Sequence, residues 1–339
     1  MNSITATEIV LPGRVDPSGL LVTRRELPAP GPGRALVRVE ASGVSFAEQQ
    51  MRRGKYFDQP PFPFVPGYDL VGTVIAADDA TLIGQRVAAL TKTGGWSSHV
   101  DLAAADLIPV PDALDAAAAE TFVVNGITAW QMLHRTADVR SGDTILVHGA
   151  NGGVGSTLVQ LARAAGIHVI GTASARHADA VTALGATWID YRGDVPQQVR
   201  TLAPQGVDAV FDHIGGPGIT DSFALLADGG TLVSYGTAAT KNDEGDSRLP
   251  VLKLFARLLW WNMLPNKRSA HFYNLWAGKR HLTRFRARIA ADLAQVFALA
   301  AAGTVTAQVA ARIPLTDAAR AMELAESGTV TGKVVLVSA

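Results

Sequence analysis

Residues 144–156 read TILVHGANGGVGS, a short apolar strand (Thr144–His148) that runs straight into a glycine-rich turn. An apolar helical stretch, Val154–Ala165, follows at once. Glycines stand at 149, 152, 153 and 155. Glycine permits positive φ in a tight turn and lets backbone approach a pyrophosphate closely. The helix start then offers unpaired N–H groups and the positive end of the helix dipole. The spacing is not a strict GxGxxG, because Ala150 and Asn151 intervene. The strand–turn–helix context is what gives the turn its meaning. Ala150, Asn151, Gly152, Gly153 and Val154 are therefore the expected cradle of a dinucleotide.

The same alternation continues downstream. His168–Thr172, Trp188–Asp190, Val207–Phe211 and Thr231–Tyr235 read as strands, and Arg176–Leu184, Val195–Leu202 and Ile219–Leu226 as helices. Strands and helices in turn at this spacing imply βαβ units and a doubly wound parallel sheet of the α/β class. The strand after the turn selects the nucleotide. An NAD site commonly has an acid about 20 residues on, to hold the ribose 2′-OH. Here the strand ends GTASARH (171–177), with no acid. Ser174 offers a hydroxyl and Arg176 a guanidinium, groups suited to a 2′-phosphate. The plainer alternative is that Ser174 caps the next helix and Arg176 is solvated. An arginine gains nothing from a helix N-terminus, which favours NADPH over NADH. Thr172 and Tyr191 join this set, Tyr191 as a cover for the adenine ribose.

The flanks have a different grammar. Residues before about 116 are short apolar runs broken by Pro28, Pro30, Pro32, Pro60, Pro61, Pro63 and Pro66, a mainly β pattern. Asp115–Ala119 and Ile127–His134 read as helical. Toward the end, Leu282–Ala302 reads as a long helix, Thr316–Ser327 as a shorter one and Lys333–Val337 as a strand able to rejoin the N-terminal β region. The expected division is 1–118 plus 282–339 around an inserted 119–281.

Composition bounds the function. The chain has 339 residues, long enough for two domains. Lys plus Arg and Asp plus Glu both total 30, so bulk charge gives no reason to expect nucleic acid or an anionic membrane as partner. Cysteine is absent, which removes disulfides, thiolate zinc, iron–sulfur clusters and cysteine nucleophiles. No signal pattern opens the sequence and no run reads as transmembrane, so a cytoplasmic protein is expected.

Further runs carry a resemblance: VEASGVSFAE (39–48), RRGKY (52–56), PFVPGYDLVGTV (63–74), GITAW (126–130), LGA (184–186), IDY (189–191), FD (211–212), IGG (214–216) and GKVVL (332–336). In this order, over almost the whole chain, they resemble the medium-chain dehydrogenase/reductase superfamily, in its zinc-free quinone oxidoreductase-like branch. The resemblance implies a Rossmann domain inserted in a GroES-like, mainly β catalytic domain, NADPH as cofactor, and a homodimer. It carries Thr128 over as the nicotinamide-side threonine, and Ile214 and Tyr235 complete the expected cofactor set. Zinc-dependent relatives place cysteine, histidine and cysteine where this chain has Ser45, Tyr68 and Asn125, so no metal is expected.

Hydride addition to a quinone or an activated alkene requires less of a protein than alcohol oxidation through a metal-held alkoxide, since charge lands on a conjugated oxygen that hydrogen bonds can stabilise. The expected substrate is an apolar small-molecule electrophile of that kind. Tyr56 is the expected proton donor or carbonyl partner, with Ser45 beside it. Glu48, Tyr68, Asn125 and Trp261 are expected in the substrate pocket, Trp261 from an aromatic segment (249–276) that reads either as interface or core or as a lid. An enoyl-thioester or tailoring reductase, and a nucleotide-binding protein without turnover, stand as alternatives.

Overall fold

The computed structural model describes residues 3–236, 238 and 248–338. In chain order the strands are β1 (Ile4–Val10), β2 (Leu21–Leu27), β3 (Arg34–Val44), β4 (Asp69–Ala77), β5 (Arg86–Leu90), β6 (His99–Ala103), β7 (Ile108–Pro109), β8 (Thr144–Val147), β9 (His168–Ala173), β10 (Thr187–Asp190), β11 (Val207–Asp212), β12 (Leu226–Ser234), β13 (Ser269–Phe272), β14 (Val309–Pro314) and β15 (Lys333–Val337). The helices are α1 (Phe46–Arg52), α2 (Ala116–Gln131), α3 (Gly153–Ala164), α4 (Ala178–Ala183), α5 (Val195–Leu202), α6 (Ile219–Ala224), α7 (Arg248–Met263), α8 (Leu282–Ala301) and α9 (Ala318–Glu326). They form two compact units, Met1–Ile127 with Gly278–Ala339, and Thr128–Ala277.

The second unit is built on a sheet ordered β10-β9-β8-β11-β12-β13, parallel throughout among the described residues. Counted from β8, this is the 3-2-1-4-5-6 order of a Rossmann fold. Leu146, Val210 and Leu232 from three adjacent strands are fully buried. Each such side chain contributes roughly 1.5–3 kcal/mol. β12 starts at Leu226, ahead of the expected Thr231. The Asp228-Gly229-Gly230 run reads as a turn, yet the strand passes through it with a register shift against β11. Helix α7 buries Val251, Leu254, Leu258 and Trp261 on one face and exposes Leu252, Leu259, Trp260 and Met263 on the other. Trp261, expected to line the substrate pocket, lies in this core instead, stacked on Phe223 with ring centroids 4.2 Å apart.

The first unit holds a sheet ordered β14-β15-β3-β4-β5-β7, with β6 also paired to β3, and the separate hairpin β1–β2. Strand β15 pairs antiparallel with the end of β3, from Val334↔Val44 to Val337↔Ala41, so late and early segments share one sheet. The helical stretches expected around residues 115–119 and 127–134 are one helix, α2, continued by a π-turn at Met132–Thr136. Gly126 does not break it. A Cβ there would sit 2.8 Å from Val296 Cγ1, so glycine lets α2 approach α8 closely. No helix among the described residues is long and apolar enough to cross a membrane.

Candidate active site

In the second unit the strand order reverses between β8 and β11, and ligands of such sheets bind at the carboxyl ends beside that point. The glycine-rich turn leaves β8 there. Gly149 has φ +66°, and a Cβ on it would meet His213 Cε1 at 2.4 Å. A Cβ on Gly155 would lie 2.2 Å from the Gly149 carbonyl oxygen. Gly152 is the extended residue ahead of α3, whose first N–H groups have no partner within the helix. Ala150, Asn151, Gly152, Gly153 and Val154 thus surround a helix N-terminus, and this cradle fits a pyrophosphate. Thr172 secures the turn from β9: its carbonyl accepts from Ala150 N (2.9 Å) and its hydroxyl from Gly149 N (3.2 Å).

Ser174 follows β9. Its side chain makes no capping hydrogen bond, although the residue precedes the short turn Ala175–His177. Arg176 is exposed and enters no ion pair among the described residues. Tyr191 is exposed, with the Arg192 guanidinium 5.2 Å from its ring centre. Ile214 N donates to Asp212 Oδ1 (2.7 Å), and Tyr235 N to the Asp212 carbonyl (2.9 Å). Burial and the Asp212 charge push the Tyr235 phenol pKa up. Thr128 is buried on α2.

Beneath the turn lies a buried polar chain. Thr172 Oγ1 is 3.4 Å from His148 Nδ1, and His148 Nε2 is 3.1 Å from Ser222 Oγ. Ser222 donates to Asp212 Oδ2 (2.8 Å). The other oxygen of Asp212 accepts from Ile214 N and Gly215 N. Burial holds the His148 pKa below its ordinary value, with the Asp212 charge opposing. The sequence marked His148 only as a strand-end residue, and Ser222 went unnoticed because it lies 74 positions away on α6.

In the first unit Ser45 begins α1 in a capping box. Its hydroxyl accepts from Ala47 N (3.1 Å), and the Glu48 carboxylate bonds the Ser45 N–H (2.9 Å) and hydroxyl. Glu48 is buried and also accepts from Tyr68 N (2.6 Å). Burial raises its pKa. The Tyr68 and Tyr56 hydroxyls are 2.7 Å apart, their rings edge to face. Tyr68 is the more buried of the two. Burial raises the Tyr56 pKa, and the bond to Tyr68 works against that. Asn125 is buried on α2. Ser45, Glu48, Tyr56 and Tyr68 are thus brought together.

The zinc positions of the resembling enzymes do not fit a metal here. Ser45 is engaged with Glu48 and Tyr68 with Tyr56, and the set holds neither thiolate nor imidazole. Among the described residues no group of three or more His, Asp or Glu side chains could hold a metal ion.

An ionic cluster next to Glu48 and Tyr68 escaped the sequence reading. Lys333 Nζ on β15 donates to Asp69 Oδ2 on β4 and to Glu120 Oε1 on α2, each at 2.7 Å. All three residues are buried. Asp69 Oδ2 also accepts from Val124 N (3.0 Å). Burial, then the neighbouring Asp69 charge, pushes Glu120 well above the usual carboxylate range. Asp69 Oδ1 and Glu120 Oε2 accept from no donor among the described residues, the pattern expected of two carboxyl groups that share a proton. Burial opposes the Lys333 charge, but the two carboxyl groups overcome it and raise its pKa. Gly43 leaves the room this needs: a Cβ there would lie 2.0 Å from Lys333 Cε.

Comparison with known proteins adds to the geometry. The alcohol dehydrogenase GroES-like domain family matches residues 31–112, and the zinc-binding dehydrogenase family residues 184–336. The human synaptic vesicle membrane protein VAT-1 homolog is 32% identical over 324 residues, or 91% of this chain and 80% of that protein. The chain spans 58% of the rat homolog's length. A probable quinone oxidoreductase of Schizosaccharomyces pombe is 30% identical over 74% of this chain and 77% of its own length. A mycobacterial protein solved in complex with NADPH has a TM-score of 0.82 at 30% identity, over 98% of this chain and 99% of that one.

Proposed function

Because this chain belongs to the medium-chain dehydrogenase/reductase superfamily, in its quinone oxidoreductase-like branch, we propose that it is an NADPH-dependent, zinc-independent oxidoreductase acting on a quinone or on the C=C of an α,β-unsaturated carbonyl. The observation that carries this reading is the glycine-rich turn at the strand-order reversal, with Ser174 and Arg176 uncommitted beside it. The Ser174 hydroxyl and Arg176 guanidinium would hold the 2′-phosphate, and the N-terminus of α3 the pyrophosphate. Thr128, Thr172, Tyr191, Ile214 and Tyr235 would contact the rest.

Bound NADPH supplies a hydride for the electrophilic carbon. Negative charge then develops on the conjugated oxygen, and Tyr56 is the group we assign to meet it. The two hydroxyls share one hydrogen bond, and we assign Tyr68 as its donor, which leaves the Tyr56 hydrogen for the substrate. A donor that is itself accepting is polarised, so the pair is a stronger donor than one phenol. Glu48 fixes the Tyr68 backbone and Ser45 the start of α1, roles of support. Solvent supplies the proton that completes the product, to the oxygen of a reduced quinone or to the α-carbon of a reduced enone. The same reading takes the protein to be a homodimer, with a second copy covering Leu252, Leu259, Trp260 and Met263; light scattering tests that.

The deciding experiment follows NADPH absorbance with metal-depleted protein against quinones, enones, enals and an enoyl thioester, with NADH as control. Turnover of quinones or enones with NADPH preferred is expected. Turnover of the thioester alone would replace the substrate class, and tight NADPH binding with no turnover would replace the enzyme by a nucleotide-binding protein. Tyr56→Phe should lower kcat by about 100-fold, the range for a positioned proton donor.

A further inference from the structure

The buried chain beneath the glycine-rich turn has one consistent direction. The Gly149 N–H donates to the Thr172 hydroxyl oxygen. Ser222 gives its hydrogen to Asp212, so its oxygen can only accept from His148 Nε2. His148 must therefore carry its proton on Nε2. In the neutral ring, which burial favours, Nδ1 is then an acceptor, and the Thr172 hydroxyl faces it. The chain runs Gly149 to Thr172 to His148 to Ser222 to Asp212, and Asp212 takes the N–H groups of Ile214 and Gly215 at its far end. Those ends are the two turns that flank the strand-order reversal, one after β8 and one after β11.

We propose that His148, as the neutral Nε2–H tautomer, is a positioning residue that ties the phosphate-side turn at Gly149 to the turn at Ile214, so that both halves of the dinucleotide cradle are set before the cofactor arrives. The imidazole acts through Thr172 and Asp212 and needs no contact with the ligand. Fixing the cradle in advance removes an ordering cost from binding. This inference rests on the assignment of NADPH to the turn.

Two measurements test it. The first is the ¹⁵N spectrum of the His148 imidazole in the cofactor-free protein, assigned with His148→Gln. An Nε2–H tautomer at neutral pH is expected, and an Nδ1–H tautomer or an imidazolium would overturn the proposal. The second is a fluorescence titration of NADPH. His148→Leu, which removes both donor and acceptor, should weaken binding about tenfold, equivalent to one or two net hydrogen bonds. His148→Gln, whose amide offers an N–H and an oxygen, should restore affinity to within about threefold of wild type. Equal loss in both variants, or no loss in either, would overturn it. If wild type itself binds no NADPH, the cofactor assignment falls and takes the proposal with it; wild-type binding with an unaffected His148→Leu sinks the proposal alone.

Discussion

The two units bury their polar groups by different means. In the first, Lys333, Asp69 and Glu120 form an ionic centre joining β15, β4 and α2. In the second, Thr172, His148 and Ser222 form a neutral chain that ends on one carboxylate, Asp212. Charges without water are held by each other, so losing one strands the rest. A neutral chain loses about one hydrogen bond per break. The ionic centre is therefore expected to govern whether its unit folds, and the neutral chain how finely the turns beside it are set.

The largest expected effect is at Lys333. Lys333→Met should cost about 3–5 kcal/mol, because a buried carboxylate is left uncompensated. Urea denaturation checks this, and a loss under about 1 kcal/mol would break the comparison. Ser222→Ala should cost about 1–3 kcal/mol by the same assay, the penalty for an unsatisfied buried group. Glu120→Gln should change stability at neutral pH by less than about 1 kcal/mol, since an amide can donate to Asp69 and accept from Lys333 as the protonated acid does.

The pH dependences should differ in sign. Glu120 keeps its proton in the folded state at pH values where the unfolded chain, near 4.5, has lost it. Its contribution is fully present below that value and is lost as pH rises through the folded pKa. His148 is shifted down from 6.5, so its contribution is present above that value and is lost as pH falls through the folded pKa. Stability–pH curves of Glu120→Gln and His148→Gln, each subtracted from wild type, should therefore slope in opposite directions. Parallel curves would show that the two centres do not differ as drawn.

What could be read from the sequence was what chemistry demands locally. The turn at 149–155 needs glycines in one short run, and β15 is bounded by its own apolar pattern over Lys333–Val337. Tyr56 and Tyr68 were legible singly, but their pairing depends on how a proline-rich loop folds back. Lys333 lies 264 residues from Asp69 and 213 from Glu120, separations that leave no periodic trace. Trp260 and Trp261 show the limit within a single helix: adjacent tryptophans point to different sides, one 59% exposed and the other 8%. Aromatic content gave no means of choosing between them.

The shared sheet of the first unit also bears on biosynthesis. All of Thr128–Ala277 is made before β14 and β15 emerge, so the second unit has its whole chain in hand first. Asp69 and Glu120, translated early, wait without their ammonium partner until Lys333 appears, a delay of roughly ten to fifty seconds at ~5–20 residues per second. A ribosome that stalls before residue 333 would thus hold a nascent chain whose nucleotide unit can close while the other still lacks its counter-ion and the strand that joins β14 to β3.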